Sequence, residues 1–549
     1  MLKKILAQID SVSIAAIIIS VFSLLTKFLG ILRDHLLARF FGAGADLDVY
    51  YAAFRLPDFI MNLLILGVVS AGLIPIMSKY LCQESGRDKF WKLLNQMVNL
   101  YILVFGAISL IFLIFTEPVM KVLTPGFSDA QMEQVVYLTR FLFLSPLLLG
   151  LSSIFGSAVQ VYKQFVIYSL APLFYNIGII AGIFFLAPIY GIKGVVFGVI
   201  VGAFFHLVLN WFAMRSMGYK YHFLVKQGNG DMKLLLKMSL PRFLTLALSQ
   251  INLIYITTIA TTLAVGSLSV FNFANNLQAL PLSLIGIPFA IAAFPLLSNY
   301  YQSVEWEKYF DLFYITVKKV IFFVLPATVI FILLRAQIVR LVLGSGKFDW
   351  NATILTMETL GIFALSLLAQ SLIPLLVRAF YALENTVTPF LIALVSTFLN
   401  VTLSYTLINL PVPSFLHEYL HSQTLGVLGL ALAFTISNTI QLVLLWKWLR
   451  HKIGDNRSKT YDLWRFVIKN LIATGAMAAS IQTYKIIWGT WFDLTAVWQV
   501  IGQIMVSLLL GGIVYYLIIK LLNVPEFNEW ENKAIKRVKH IFYGKKQNS

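Results

Sequence analysis

The stretch Met97-Val-Asn-Leu-Tyr-Ile-Leu-Val-Phe-Gly-Ala-Ile-Ser-Leu-Ile-Phe-Leu-Ile-Phe115 contains no Asp, Glu, Lys or Arg. At a rise of 1.5 Å per residue, about 20 such residues cross the hydrocarbon core of a bilayer as one helix. Gly194–Met214, Gly426–Trp446 and Leu494–Ile519 are also charge-free and at least as long. Lipid offers backbone groups no hydrogen-bond partner, so these runs must satisfy themselves as helices. Working outward from them, the apolar segments of the 549-residue chain give fourteen helices. They run at about 11–41, 46–80, 91–116, 131–159, 163–187, 193–215, 232–264, 267–300, 310–342, 352–383, 386–409, 424–449, 463–487 and 494–522.

Composition agrees with this reading. Hydrophobic residues make up 59% of the chain and charged residues 12%, against roughly 25% charged in a soluble domain. That excludes an ordinary water-soluble enzyme, a secreted disulfide scaffold and a disordered chain. Cys82 is the single cysteine, which excludes internal disulfides, iron–sulfur clusters and cysteine-based zinc sites. The apolar run after the short basic segment Met1–Asp10 lacks a small-residue cleavage site, so it reads as a retained first span.

Charge fixes orientation. The net charge is +18, from 42 Lys+Arg and 24 Asp+Glu. Basic residues gather in alternate connectors: Lys79, Arg87, Lys89 and Lys92; Arg215, Lys220, Lys226, Lys233 and Lys237; Lys447, Arg450, Lys452, Arg457 and Lys459. The tail adds Lys533, Lys536, Arg537, Lys539, Lys545 and Lys546, while Gly42–Leu47, Val265–Ser267 and Pro411–Thr424 have no basic residue. The positive-inside rule then puts both termini in the cytoplasm and requires an even number of spans. Anionic membrane lipids are the expected neighbours of these basic loops. No connector is long enough to fold a nucleic-acid reader or a soluble catalytic domain, so no nucleic-acid partner is expected.

The chain also resembles itself. Gly44-Ala-Asp-Leu-Asp-Val-Tyr-Tyr-Ala-Ala-Phe-Arg-Leu56 is similar to Gly266-Ser-Leu-Ser-Val-Phe-Asn-Phe-Ala-Asn-Asn-Leu277, 222 positions later. Pro75-Ile-Met-Ser-Lys-Tyr80 matches Pro295-Leu-Leu-Ser-Asn-Tyr300 at 220, and Tyr162 pairs with Tyr381 at 219. The offset spans six helices, an even number, so both copies share one orientation. Parallel repeats of this kind occur in alternating-access transporters. The expected fold is an all-α polytopic membrane protein of fourteen transmembrane helices. Two parallel six-helix lobes would enclose a central cavity, with helices 13 and 14 added outside the repeat. The expected divisions are an N-lobe at 1–230, a C-lobe at 231–455, helices 13–14 at 456–522 and a basic cytoplasmic tail at 523–549.

Ionisable side chains inside spans are costly and normally face a cavity or a partner. Helix 1 carries Lys27, Arg33, Asp34 and Arg39, and helix 2 carries Asp48, Arg55 and Asp58. Lys27 and Arg33 lie about 240° apart around the axis, yet both are long enough to reach a wide lumen. Arg33 can also pair with its neighbour Asp34. Asp48 has two readings, a helix N-cap or a ligand contact. In the second half, Arg242 follows Pro241 near the cytoplasmic mouth of helix 7, and Asn272, Asn275, Asn276 and Gln278 punctuate helix 8. Arg335, Arg340 and Arg378 lie near helix ends, where such side chains anchor at the interface. A lumen that is cationic in its first half suits an anionic headgroup, with Arg able to grip phosphate through two bonds.

No catalytic set emerges. His417-Glu-Tyr-Leu-His421 matches the zinc-protease pattern HExxH, but it sits in an outer loop with no third ligand or supporting domain. No metal and no cofactor are expected, and there is no phosphate-binding Walker loop.

Phe28-Leu-Gly-Ile-Leu-Arg-Asp34, Phe41-Gly-Ala-Gly44, Asp48 and Phe54-Arg-Leu-Pro57 resemble the MurJ/MviN family of lipid II flippases. So do Ala274-Asn-Asn-Leu-Gln-Ala-Leu-Pro281 and Arg378-Ala-Phe-Tyr-Ala-Leu-Glu-Asn-Thr-Val-Thr-Pro389. The resemblance spans essentially the whole chain. It implies the fold of the multidrug/oligosaccharidyl-lipid/polysaccharide exporter superfamily, with a V-shaped cavity and a groove on helices 13 and 14 for an undecaprenyl tail. The implied cargo is a lipid-linked peptidoglycan precursor, lipid II, moved from the inner to the outer leaflet of the bacterial cytoplasmic membrane.

The implied substrate-binding residues are Arg33, Lys27 and Asp48, with Arg55, Arg242 and Asn276. Lys27 stands where the family usually has arginine, which keeps the charge but loses the fork. Met61, Leu66 and Asn276 stand where arginine, glutamate and arginine are usual. In some members a sodium site uses an asparagine and an aspartate four apart in helix 11; here Asn400 is followed by Ser404. Other readings are a flippase for a different polyprenyl-linked glycan, a drug/cation antiporter, a membrane transferase, or a non-transporting scaffold that recruits cell-wall synthesis enzymes through the basic tail. An antiporter should carry a carboxylate at mid-depth, and helices 7–12 have none; a transferase would need an acidic or metal cluster at an interface, and none is found.

Overall fold

The computed structural model describes residues 8, 12–63, 73–83, 86–223, 247–412, 423–454, 457–494 and 496–531. Among them the chain is helical, with one isolated bridge between Pro411 and Thr424 and no sheet. The helices are α1 Val12–Phe41, α2 Ala45–Met61, α3 Ile74–Leu81, α4 Gly86–Leu123, α5 Asp129–Leu142, α6 Leu144–Val161, α7 Phe165–Ala181 and α8 Ile192–Ser216. There follow α9 Ala247–Thr261, α10 Ser267–Pro281, α11 Ile287–Gln302, α12 Trp306–Leu333, α13 Arg335–Val342, α14 Trp350–Leu365 and α15 Leu367–Ala382. The last four are α16 Val387–Leu407, α17 Val427–Ile453, α18 Arg457–Trp491 and α19 Val497–Leu521.

Nine described helical stretches are long and apolar enough to cross a bilayer. The number is ten if α14 and α15, bent by 44° at their junction, count as one span. The chain is therefore a multi-pass membrane protein. Several spans are composite because the sequence interrupts them. A π-turn, Gly182–Leu186, extends α7 to Tyr190, and another, Leu282–Gly286, joins α10 to α11. Such turns add a residue to the ladder and shift the face a helix presents.

Several helices end in the same way. Lys163, Val304 and Glu384 all adopt positive φ (59°, 59° and 56°). Tyr162 N–H donates to the Ala158 carbonyl and Gln164 N–H to Val159; Ser303 N–H donates to Asn299 and Glu305 N–H to Tyr300; Leu383 N–H donates to Ala379 and Asn385 N–H to Phe380. This is the left-handed helix stop that relieves the last carbonyls.

By contact, the chain divides into two compact units. One comprises Met1–Phe273, Val342–Thr359 and Ala393–Phe434; the other comprises Ala274–Leu341, Leu360–Ile392 and Thr435–Ser549. The boundaries fall inside α10, α13, α14, α16 and α17, so the compact units differ from the lobes expected from the sequence.

The core of the first unit gathers Phe90, Leu94, Phe105, Ile154 and Tyr219 from α4, α6 and the segment after α8. That segment is bound to α4: the Tyr219 hydroxyl donates to Asn95 Oδ1 (2.8 Å) and Tyr221 to Asn99 Oδ1 (2.6 Å). In the second unit α18 and α19 pack on each other and α18 on α12, around Val320, Val324, Ala473 and Ile519. Several buried polar groups there find partners, as low dielectric favours. Tyr515 donates to Asn470 Oδ1 (2.8 Å) and the Phe322 carbonyl (3.0 Å), Gln337 donates to Gln503 (2.8 Å), and Lys318 meets Glu526 (2.5 Å). The outer faces of α18 and α19 expose Trp464, Ile468, Leu471, Leu509 and Leu517, the surface expected against acyl chains.

Candidate functional site

Four of the six sequence-derived site residues lie in the first unit, where they form two different arrangements. Asn276 belongs to the second unit, half-buried beside Asn275, whose Oδ1 accepts from Gln278 (2.9 Å). Gln278 in turn accepts from Gln370 (2.9 Å). Arg242 lies outside the described residues, as do Leu66, His417 and His421.

The first arrangement is a latch at the α1–α2 end of the unit. Asp48 is buried and both its oxygens are engaged. Oδ2 accepts from Gly266 N–H (2.6 Å); Oδ1 accepts from Ser269 N–H (2.8 Å) and from the Ser269 hydroxyl (2.6 Å). Gly266 and Ser269 sit at the start of α10, whose first N–H groups have no partner within the helix. Asp48 therefore caps α10 from α2, across 218 residues of sequence. Of its two sequence readings, the cap is the one with geometry here, though on α10 and not on its own helix.

About two turns along α2, Arg55 continues the seam. Nε donates to Thr257 Oγ1 (2.7 Å) and Nη2 to Asn272 Oδ1 (2.8 Å). The turns fit by leaving out side chains. Gly266 has φ +91°, and a Cβ on it would lie 2.2 Å from the Ala43 carbonyl oxygen. Gly346 has φ +63°, and its Cβ would lie 2.3 Å from the Arg39 carbonyl oxygen, which already accepts from Lys347 N–H (2.9 Å). Only glycine adopts this conformation cheaply and leaves that space open.

The second arrangement is a polar chamber nearer the other end. A cavity of about 400 Å³ is walled by α1, α3, α6, α7 and α8, within the ~300–1,000 Å³ range of small-molecule sites. Lys27 lines it, together with Ser23, Thr26, Ser152, Ser169, His206 and Asn210 among others. Lys27 has no ion pair or hydrogen bond among the described residues.

Arg33, six residues on and so about 9 Å along the axis, is not a free cation. Its Nε and Nη2 both donate to Asp34 Oδ1 (2.9 and 2.8 Å), and its side chain is 26% exposed. The pair is close to neutral as a unit, its Nε–Nη2 fork is taken by Asp34, and Nη1 has no hydrogen bond among the described residues.

Beyond the turns that line the chamber, α7 and α8 pack tightly on each other. Where α7 crosses α8, a Cβ on Gly178 would lie 2.3 Å from Gly202 Cα, and one on Gly182 would lie 2.6 Å from Gly198 Cα. Small residues let the backbones touch, the usual basis of tight packing in lipid. Sequence reading missed this wall. Its signals were Ser152, Ser153 and Ser157 at helical spacing and His206 with Asn210 one turn apart, all neutral and thus invisible to a search for charge.

Among the described residues, no cluster of three or more His, Cys, Asp or Glu could hold a metal ion. At the helix 11 position, Asn400 donates to Asn252 Oδ1 (2.8 Å).

The described residues thus give a multi-pass helical membrane protein with a cavity in its first unit. Solved structures agree on the fold. The chain is similar to one titled "Lipid II flippase MurJ, inward closed conformation" (TM-score 0.72, 23% identity, covering 91% of this chain and 98% of that one). It is also similar to an inward-facing multidrug resistance MATE family transporter of the MOP superfamily (TM-score 0.65, 15% identity, covering 78% and 94%). The profile of the family described as "Lipid II flippase MurJ" matches residues 37–502, and the chain belongs to that family. Relatives include the probable lipid II flippase MurJ of Buchnera aphidicola subsp. Schizaphis graminum, 26% identical over 526 residues (93% of this chain, 96% of the relative). The lipid II flippase MurJ of Burkholderia cenocepacia is 24% identical over 446 residues (80% and 84%).

Proposed function

We propose that this chain flips lipid II from the inner to the outer leaflet of the bacterial cytoplasmic membrane by alternating access, without catalysing a chemical step. The observation that carries the reading is the family match along residues 37–502. The site supports it: Lys27, without an ion pair or hydrogen bond among the described residues, lines a cavity, and Arg33 lies on the same helix. Together with Arg55 and Arg242 they are the groups proposed to attract the diphosphate, with Asn276 as a proposed neutral contact for the cargo. Asp48 contributes by holding the latch whose release would open the outer side.

The lobes proposed to rock are 1–230 and 231–455. Helices 13 and 14, at 456–522, would keep the prenyl tail in lipid. Both termini are taken as cytoplasmic, and the basic tail 523–549 as lying against anionic headgroups. Membrane potential would bias the cycle by about 2.3 kcal/mol per charge per 100 mV.

The test is Arg33→Ala in a depletion-rescue strain. The expected result is normal membrane insertion, failed growth and lipid II accumulating in the inner leaflet. Normal delivery to the outer leaflet by the variant removes Arg33 from the mechanism. A scaffold that only recruits cell-wall enzymes would tolerate Arg33→Ala and fail on loss of the tail.

A further inference from the structure

Asp58 is the carboxylate that the seam leaves out. It lies on α2 three residues after Arg55, half-buried in the first unit, with no hydrogen bond and no ion pair among the described residues. An ionisable group inside a membrane protein normally has a partner. Two other acids of this unit do: Asp34 takes the Arg33 fork, and Asp48 caps α10.

Arg55 is the cation placed to serve Asp58. Residues three apart are neighbours on one face of a helix, and among the described residues Arg55 is the one cation whose charge reaches Asp58. Yet the guanidinium is committed elsewhere. Nε donates to Thr257 Oγ1 on α9 (2.7 Å) and Nη2 to Asn272 Oδ1 on α10 (2.8 Å). Both acceptors are neutral. Both are also fixed to their own helices: the Thr257 hydroxyl donates to the Leu253 carbonyl (2.9 Å) and Asn272 Nδ2 to the Leu268 carbonyl (2.7 Å). A hydrogen bond from guanidinium to carboxylate is stronger than one to a neutral oxygen. Arg55 therefore sits on its weaker partners while the stronger one stands unused one turn away.

The latch accounts for this. Asp48 fastens the start of α10 to α2, and that contact keeps Asn272 in front of Arg55. When α10 leaves α2, Asn272 goes with it, whereas Asp58 stays beside Arg55 on the same helix. We propose that Arg55 and Asp58 form a two-position switch, with Arg55 on Thr257 and Asn272 in the latched state and on Asp58 in the unlatched one. Asp58 is then a positioning residue that stabilises the unlatched state. Without it, opening would strand a guanidinium; with it, one set of bonds replaces another, the basis of two discrete arrangements. The inference concerns the latch and holds whatever the chain carries.

The test uses the purified full chain in nanodiscs, carrying Cys82→Ser and Leu268→Cys. Leu268 is fully buried at the start of α10, so its reaction with a water-soluble maleimide reads the unlatched population. Asp58→Asn has the same shape without the charge. It is expected to slow labelling about 10-fold, the factor that about 1.4 kcal/mol gives. Asp58→Glu keeps the acid and should label close to the parent rate. The partner is identified by repeating Asp58→Asn in an Arg55→Gln background. With no guanidinium to receive, loss of the acid should no longer slow labelling.

A rate that Asp58→Asn leaves unchanged or raises overturns the switch. So does equal slowing by Asp58→Asn with and without Arg55→Gln, because Asp58 would then act through its own burial and not through Arg55. Slowing by Asp58→Glu as large as that by Asp58→Asn also overturns it, since the acid group would not be what matters.

Discussion

Replacing Asp48 with alanine should unlatch the α1–α2 end of the first unit. The carboxylate accepts three hydrogen bonds at 2.6–2.8 Å from Gly266 and Ser269. Bonds to a charged acceptor are each worth about 1.5–3 kcal/mol net. Two of these share Oδ1, and the released N–H groups at the start of α10 can regain water, so the three are not additive. A loss of about 3 kcal/mol is a fair central value, or roughly a 100-fold rise in the unlatched population at 1.4 kcal/mol per decade.

Leu268, fully buried beside the latch, serves as the reporter. The single native thiol, Cys82, is exposed and is first replaced by serine. Leu268→Cys is then reacted with a water-soluble maleimide, with and without Asp48→Ala. When opening and closing are fast relative to labelling, the rate follows the open population and should rise about 100-fold. Asp48→Asn keeps one acceptor but not the charge and should fall between the two. A labelling rate unchanged by Asp48→Ala would refute the latch, whatever the effect on growth.

Other outcomes follow from the same geometry. Gly266→Ala should speed labelling at least as much as Asp48→Ala, because its Cβ meets the Ala43 carbonyl at 2.2 Å in a left-handed backbone. Arg55→Lys keeps the charge but cannot reach Thr257 and Asn272 together; the same assay should report a roughly 10-fold rise, as expected for about 1.4 kcal/mol. Tyr515→Phe strips a buried hydroxyl from Asn470 and the Phe322 carbonyl. It should cost about 1–2 kcal/mol and lower the melting temperature measurably, without affecting latch labelling.

The fold was largely legible because bilayer physics admits few answers. The charge-free run Met97–Phe115 lies within α4, and α19 covers Leu494–Ile519 from Val497 on; family membership followed from motifs that the eye can align. The count of fourteen spans stays a reading of hydropathy, since composite spans such as α14 and α15 break at residues that hydropathy averages over. The site was legible only where it was charged. Arg33, Asp48 and Arg55 announced themselves as costly, yet their partners did not. Asp34 takes Arg33 locally, Asp48 caps a helix begun 218 residues later, and Arg55 reaches Thr257 and Asn272. Sequence gives the cost of burying a charge, but the group that offsets it is set by tertiary contact. Ser169 and Asn210 carry no such cost signal, so the chamber they line stayed hidden.

The seam of Gly178, Gly182, Gly198 and Gly202 limits how this unit can deform. With backbone against backbone there is no side chain to rotate aside and no gap to compress, so α7 and α8 travel as a single plank. Any widening of the space in front of that plank must be taken up by its other walls, α1, α3 and α6. Where α1 is the one displaced, the size of the compartment and the position of Lys27 change in the same stroke.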